Sequence, residues 1–352
     1  MLLPSALSLI ATTYTGHQRA VALGVWGALG SAGAAAGVLL GGVITTLLSW
    51  KWVFFINVPV GLAVALCLGR VIAAAPVRPP ARGQFDMAGA ATVMGGLVAL
   101  VYGLQGTADH GWTSARTLLP LALAAVLLAT FVAVERHGRR PLVPPSTWRV
   151  RSLVSGATIM IGATGLLVGA FYLNTLFLQD ALDASPLQTG LAFLPLTLVI
   201  LVAAHLASRL LPHVGTKLLL AAGLLIAGGG ALLLTGAPAA HASYIADLLP
   251  GFMALGFGIG LTFVSASVAA MNDVGHDQTG LASGLMTTAH ELGAAVGVAV
   301  LASVARGAGG GIAQGYGDGF LVAAALAGVL AIGALLAVPS VRPAAGAAIA
   351  MH

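Results

Sequence analysis

The residues best placed to do chemistry are two neighbours, His290 and Glu291, inside the apolar run 281–304. They lie about ten residues into that run, roughly 15 Å at the helical rise of ~1.5 Å per residue. A hydrocarbon core is about 30 Å thick, so that depth is near its middle. A carboxylate there costs at least ~2.5 kcal/mol unless it is paired, protonated or wetted. An ionisable group that deep can carry a proton or hold a cation. A structural pairing of Glu291 with His290, or a hydrogen bond to a neighbouring helix, is the plainer reading. The residues alone leave both open.

Three other groups carry weaker signals. Asn57, followed by Pro59, interrupts the run 51–71; its amide can reach another helix, freed backbone or a substrate. Asn174 lies near the end of the run 153–178, where it could line a vestibule. Gly33, Gly37 and Gly41 recur every four residues, with Gly42 beside them. That spacing puts them on one helix face and lets another helix come close. Asp86, just before the run 87–105, reads as an N-cap.

No set of residues points to an enzyme. The nine histidines are scattered, with no HExxH and no metal-ligand spacing, so neither a metal nor a cofactor is expected. There is no Walker A sequence to bind ATP. Gly256, Gly258 and Gly260 follow no strand, so a dinucleotide fingerprint fails. The single cysteine, Cys67, excludes an intrachain disulfide.

The elements that must position these residues follow from composition. Of 352 residues, 59% are hydrophobic and only 7% charged. A soluble domain carries about 25% charged residues, so water is the wrong solvent for this chain. Apolar runs separated by polar or Pro-rich breaks predict ten full spans: 20–47, 51–71, 87–105, 117–135, 153–178, 189–211, 217–236, 247–270, 281–304 and 318–339. The apolar stub 1–12 is too short to cross. The start, MLLPSALSLIATTY, lacks the basic region of a cleavable signal.

Charge orients the spans. Of the fifteen lysines and arginines, all but Lys51, Arg116 and Arg306 fall on one side. The positive-inside rule makes that side cytoplasmic, with the C-terminus there. Such a spread forms no dense basic patch, so membrane lipid rather than nucleic acid is the expected surrounding. The long basic connections 72–86 and 136–152 divide the chain into 1–71, an inserted pair within 72–152, a six-helix group 153–342 and a tail 343–352. LGSAGAAAGVLLGG (29–42) and LGAAVGVAVLAS (292–303) hint at a parallel repeat.

Four stretches, in order, carry a resemblance. SWKWVFFINVPVGLAVAL (49–66) resembles the sixth helix of the fourteen-helix drug:proton antiporters of the major facilitator superfamily. FDMAGAATVMGGLVALVYGL (85–104) is similar to the opening of that family's extra helix pair. FLQDALDASPLQTGLAFLPLTL (177–198) and GLASGLMTTAHELGAAVGVAV (280–300) resemble its ninth-to-tenth junction and its thirteenth helix.

The resemblance implies an all-α polytopic protein of the major facilitator fold. The ten spans would be the family's fifth to fourteenth, with an incomplete N-terminal bundle and the stub ending the fourth. It implies export of small amphipathic or cationic compounds across a plasma membrane, by alternating access, in exchange for protons. As the first three helices would be missing, the 352 residues alone are expected not to transport. A non-transporting remnant or an accessory subunit is the alternative. The resemblance makes Gly33, Gly37, Gly41 and Gly42 the antiporter motif that packs between bundles. It makes Arg209, Gly215 and Lys217 a copy of the cytoplasmic gating loop; plain positive-inside anchoring explains them as well. Two departures stand out: Gly37-Val38 where the family has Gly-Pro, and His290-Glu291 where it has Arg-Gln.

Overall fold

The computed structural model describes residues 33, 36–37, 39–71, 86–138, 141–236, 243–275, 278–307 and 312–342. Helices carry all the regular structure among them. In chain order they are α1 (39–47), α2 (Trp50–Phe55), α3 (Asn57–Val71), α4 (Met87–His110), α5 (Ala115–His137), α6 (Arg151–Leu176), α7 (Pro186–Val214), α8 (Thr216–Leu234), α9 (Leu249–Met271), α10 (Thr279–Gly307) and α11 (Ile312–Ala337). Single π-turns, Phe177–Ala181 and Tyr244–Leu248, extend α6 and lead into α9.

Nine helical stretches among the described residues are long and apolar enough to cross a membrane. Each overlaps one of the expected spans. The stub 1–12 and most of the span 20–47 lie outside the described residues. Exposure supports a bilayer as the solvent. Leu119, Val126, Leu225 and Leu336 are among many large apolar side chains more than half exposed. Water would not tolerate so much contiguous apolar surface; lipid tails do.

Caps start the helices where the sequence places polar residues. The Asp86 carboxylate accepts from the Gly89 N–H at 2.8 Å, which begins α4. Ser185 and Gln188 close a reciprocal capping box at the start of α7. One expected span is broken. Ile56 forms a turn between α2 and α3, and Pro59 has no N–H to continue the ladder.

Helices α6 to α11 form one packed body. α9 lies against α6, α7 and α8; α10 lies against α6 and α11; α11 also meets α6 and α8. Phe177, Phe252 and Phe320 are fully buried in it. Phe252 stacks on Phe193 with ring centres 5.6 Å apart. The inserted helices α4 and α5 pack on each other, and α4 also lies along α10. By contrast, none of residues Trp50–Cys67 is buried among the described residues.

Glycines set the closest crossing. On α6 they are Gly165 and Gly169; on α10, Gly293 and Gly297. A β-carbon at Gly297 would run into the Gly165 backbone, and one at Gly293 into Ile161. Only hydrogen at these positions lets the two backbones touch.

Candidate functional site

Glu291 sits in the middle of α10, where α4 passes it. Leu97 and Val101 of α4 face Thr287, Thr288, Glu291 and Leu292 of α10 across a groove of about 300 Å³. The threonine hydroxyls are used locally: Thr287 donates to the Ser283 carbonyl at 3.0 Å and Thr288 to Gly284 at 2.9 Å. Among the described residues that line it, Glu291 brings the only charge to an otherwise apolar groove. Its side chain is 74% exposed, so the protein itself does not wall it off.

His290 completes the pair. Its Nδ1 stands 3.5 Å from a Glu291 carboxylate oxygen. The imidazole leans toward Phe263 of α9, with ring centres 6.0 Å apart. One residue thus faces α4 and its neighbour faces α9. The pair can exchange a proton or share a cation, and the carboxylate remains open to a ligand in the groove. The inserted helix pair supplies the groove's second wall, a role that spacing along α10 could not reveal.

The other expected residues do not converge on this groove. Asn57 is exposed, and its amide donates to the Val53 carbonyl of its own chain at 2.9 Å. It thus serves freed backbone at the α2–α3 break. Asn174 requires a correction. It is only 1% exposed, and its side-chain oxygen accepts from the Tyr316 hydroxyl at 2.7 Å. Phe177 and Phe320 pack around Tyr316. Asn174 is therefore sealed in the bundle and lines no vestibule.

The expected glycine face, Gly33 to Gly42, makes one close approach among the described residues. A β-carbon at Gly33, Gly37 or Gly41 would meet no described atom within 4 Å. The close approach is at Gly42, which is buried. A β-carbon there would lie 3.0 Å from the Pro186 carbonyl oxygen, at the start of α7. One turn on, the Thr46 hydroxyl accepts from the Leu187 N–H at 3.2 Å. The α1–α7 crossing thus uses one glycine of the four.

Arg209, Gly215 and Lys217 mark the α7–α8 turn. Arg209 is exposed and Lys217 half-buried. Gly215 caps α7 with φ of +84°, a conformation that favours glycine, and its N–H donates to the Leu211 carbonyl at 2.9 Å. The residue between, Thr216, was not singled out by the sequence. It is fully buried; its hydroxyl donates to the Pro339 carbonyl at 2.9 Å and accepts from the Val341 N–H at 3.1 Å. Its own N–H donates to the Val341 carbonyl at 2.9 Å. The turn is thereby tied to the end of α11.

Two more residues escaped the sequence reading. Glu135, 6% exposed, accepts from the Leu142 and Val143 N–H groups at 3.0 and 2.9 Å. It anchors the linker that leads to α6. At the opposite end, the Trp112 indole donates to the Ser303 hydroxyl at 2.7 Å and ties the α4–α5 loop to α10. Beside it, Arg306 donates to the Tyr172 hydroxyl at 3.0 Å. Among the described residues no group of three or more histidine, cysteine or acidic side chains could hold a metal.

A chain of membrane helices with one ionisable pair in its middle suits a carrier. Comparison with known proteins identifies which kind. The Major Facilitator Superfamily family model matches residues 1–298. The chain belongs to the major facilitator superfamily. The family consists of transporters, not enzymes, and its members are multi-pass membrane proteins. The chain is 37% identical to the puromycin resistance protein of Streptomyces alboniger over 354 residues, covering 96% of this chain and 69% of that protein. It is 35% identical to the cephamycin export protein of Amycolatopsis lactamdurans, over 91% of this chain and 67% of the relative. The lincomycin resistance protein of Streptomyces lincolnensis is 35% identical over 97% of this chain and 69% of its own length. This superfamily member is thus similar to transporters that confer resistance to, or export, antibiotics.

Proposed function

We propose that this superfamily member exports small amphipathic or cationic compounds across a cell membrane, in exchange for protons. The observation that carries this reading is Glu291, a carboxylate at the middle of a membrane-spanning helix on an apolar groove. Charge in hydrocarbon is costly, so occupation by a proton or by an organic cation relieves the same site. Two ligands that compete for one carboxylate are exchanged, which is the logic of an antiporter. The relatives that export antibiotics support export of small organic compounds. The fourteen-helix drug:proton antiporter pattern, with the arginine-rich side and the C-terminus cytoplasmic, fits the distribution of cations along the chain.

The same reading holds that residues 1–352 alone do not transport. Helices α2 and α3 bury no residue against a described neighbour in the stretch Trp50–Cys67. The test compares the 352-residue chain with one translated from the in-frame DNA upstream of Met1. Export of a cationic dye, abolished by a protonophore, is expected only from the longer chain. Dye export from the 352 residues above an empty vector would sink the inactivity claim. Export insensitive to the protonophore would sink proton coupling. A stop codon directly upstream would favour the non-transporting accessory reading.

A further inference from the structure

A second groove lies on the arginine-rich side of the bundle, between α6 and α11, away from the α4–α10 groove. It holds about 540 Å³. Trp148 and Arg151 stand at its mouth, and Thr158, Leu330, Gly333 and Leu336 are among the residues further in. Its two hydroxyls donate along their own helix. Ser155 donates to the Arg151 carbonyl at 2.8 Å, and Thr158 to the Val154 carbonyl at 2.9 Å. Apart from Ser155 and Thr158 the wall beyond the mouth is apolar: Val154, Ile159, Val329, Leu330 and Leu336.

The dimensions match one leaflet. From Arg151 to Ile159, the ends of the groove on α6, is about 12 Å at ~1.5 Å per residue. Half of a hydrocarbon core about 30 Å thick is about 15 Å. With Arg151 at the headgroup level, the floor at Ile159 falls inside the same leaflet, short of the middle of the span Arg151–Ala181. Gly333 keeps the floor open: a β-carbon added there would meet no described atom within 4 Å.

The charge at the mouth has one sign. Arg151 is the only charged residue lining the groove, and no ion pair joins it to an acid among the described residues. Arg149, two residues earlier, is exposed and likewise without an acidic partner. The linker 136–152 carries no acid, and Glu135 at the end of α5 is already held by two of the linker's backbone N–H groups. Helix α6 begins at the mouth with Val150 as its N-cap, which supplies no side-chain oxygen. Its dipole therefore adds to the positive potential there. The Trp148 side chain is 57% exposed at the same level, where indoles favour the headgroup region.

We infer that this groove seats an anionic phospholipid, with its phosphate on Arg151 and one acyl chain between α6 and α11. A guanidinium pairs with a phosphate through two parallel N–H bonds. Basic pockets between helices, opening on an anionic leaflet, have this recognition chemistry. A zwitterionic headgroup would bring a cation of its own to Arg149 and Arg151, so it binds less well. The site does not depend on the substrate or on proton coupling.

The test is thermal unfolding of the full chain in a mild detergent. Dioleoylphosphatidylglycerol is titrated against dioleoylphosphatidylcholine, which has the same chains, and against inorganic phosphate. The phosphatidylglycerol is expected to raise Tm by several degrees more than the phosphatidylcholine, because it binds the native state. Inorganic phosphate alone should raise nothing. Arg151→Gln and Gly333→Leu should each abolish the difference. Gly328→Leu, at another position open in the structure, should keep it. Equal shifts from the two lipids would overturn the proposal. So would a shift reproduced by phosphate alone, or a difference that survives in Gly333→Leu.

Discussion

At the scale of single residues, the polar groups of this chain divide into those that close the fold and those left open. Asn174 and Tyr316 satisfy each other inside the bundle, and Thr216 meets three backbone groups of the C-terminal segment. A buried donor or acceptor without a partner costs about 1–3 kcal/mol, so these bonds are structural necessities. Glu135 is the sharpest case, because one side chain holds two N–H groups of the linker. Glu135→Ala should lower stability by about 2–4 kcal/mol, one lost partner for each of two half-buried groups. Thermal unfolding in detergent measures this, and a glutamine should retain part of the loss. Glu291 is of the opposite kind. It has His290 beside it and open space in front, and that is what a site for an exchangeable ligand requires.

At the scale of helices, hydropathy made the spans legible and little else. Each of the nine membrane-length stretches overlaps an expected run, because about 20 apolar residues have few other uses. The cap at Asp86 was legible too, since an acid before an apolar run satisfies free N–H groups. Partners were not. Spacing says which residues share a face, but not what the face meets. The four-residue spacing singled out Gly33, Gly37 and Gly41, but it could not show the tight crossing of α6 on α10 through Gly165, Gly169, Gly293 and Gly297. The same blindness put Asn174 in a vestibule, when Tyr316, 142 residues away, covers it. The α6–α10 crossing makes a direct prediction. Gly297→Leu forces a side chain into the Gly165 backbone, and overpacking of this kind costs about 1–3 kcal/mol or more. Gly328→Leu, facing open space, should cost little. Comparing their unfolding temperatures checks the crossing, and equal losses would contradict it.

At the scale of the whole molecule, low charge led first to the membrane and then to a direction across it. The structure adds what joins the inserted pair to the six-helix body. Trp112 bonds Ser303 near one surface, and Leu97 and Val101 face Glu291 deeper in. These contacts join the pair to α10, and α4 walls the groove that holds the carboxylate. Two grooves of different character result. One presents a carboxylate at the middle of α10 and suits a cation or a proton. The other presents a guanidinium at the membrane surface and suits an anionic lipid.

The proposed coupling of protons to export through Glu291 is tested by dye efflux in proteoliposomes with an imposed proton gradient, using the chain translated from the in-frame upstream DNA. Wild type and Glu291→Gln are compared at equal insertion. Glutamine keeps the size and removes the titratable charge. Glu291→Gln is expected to lose at least about tenfold in gradient-driven efflux, equivalent to ~1.4 kcal/mol. Gradient-driven efflux at the wild-type rate would contradict it and leave Glu291 a structural residue.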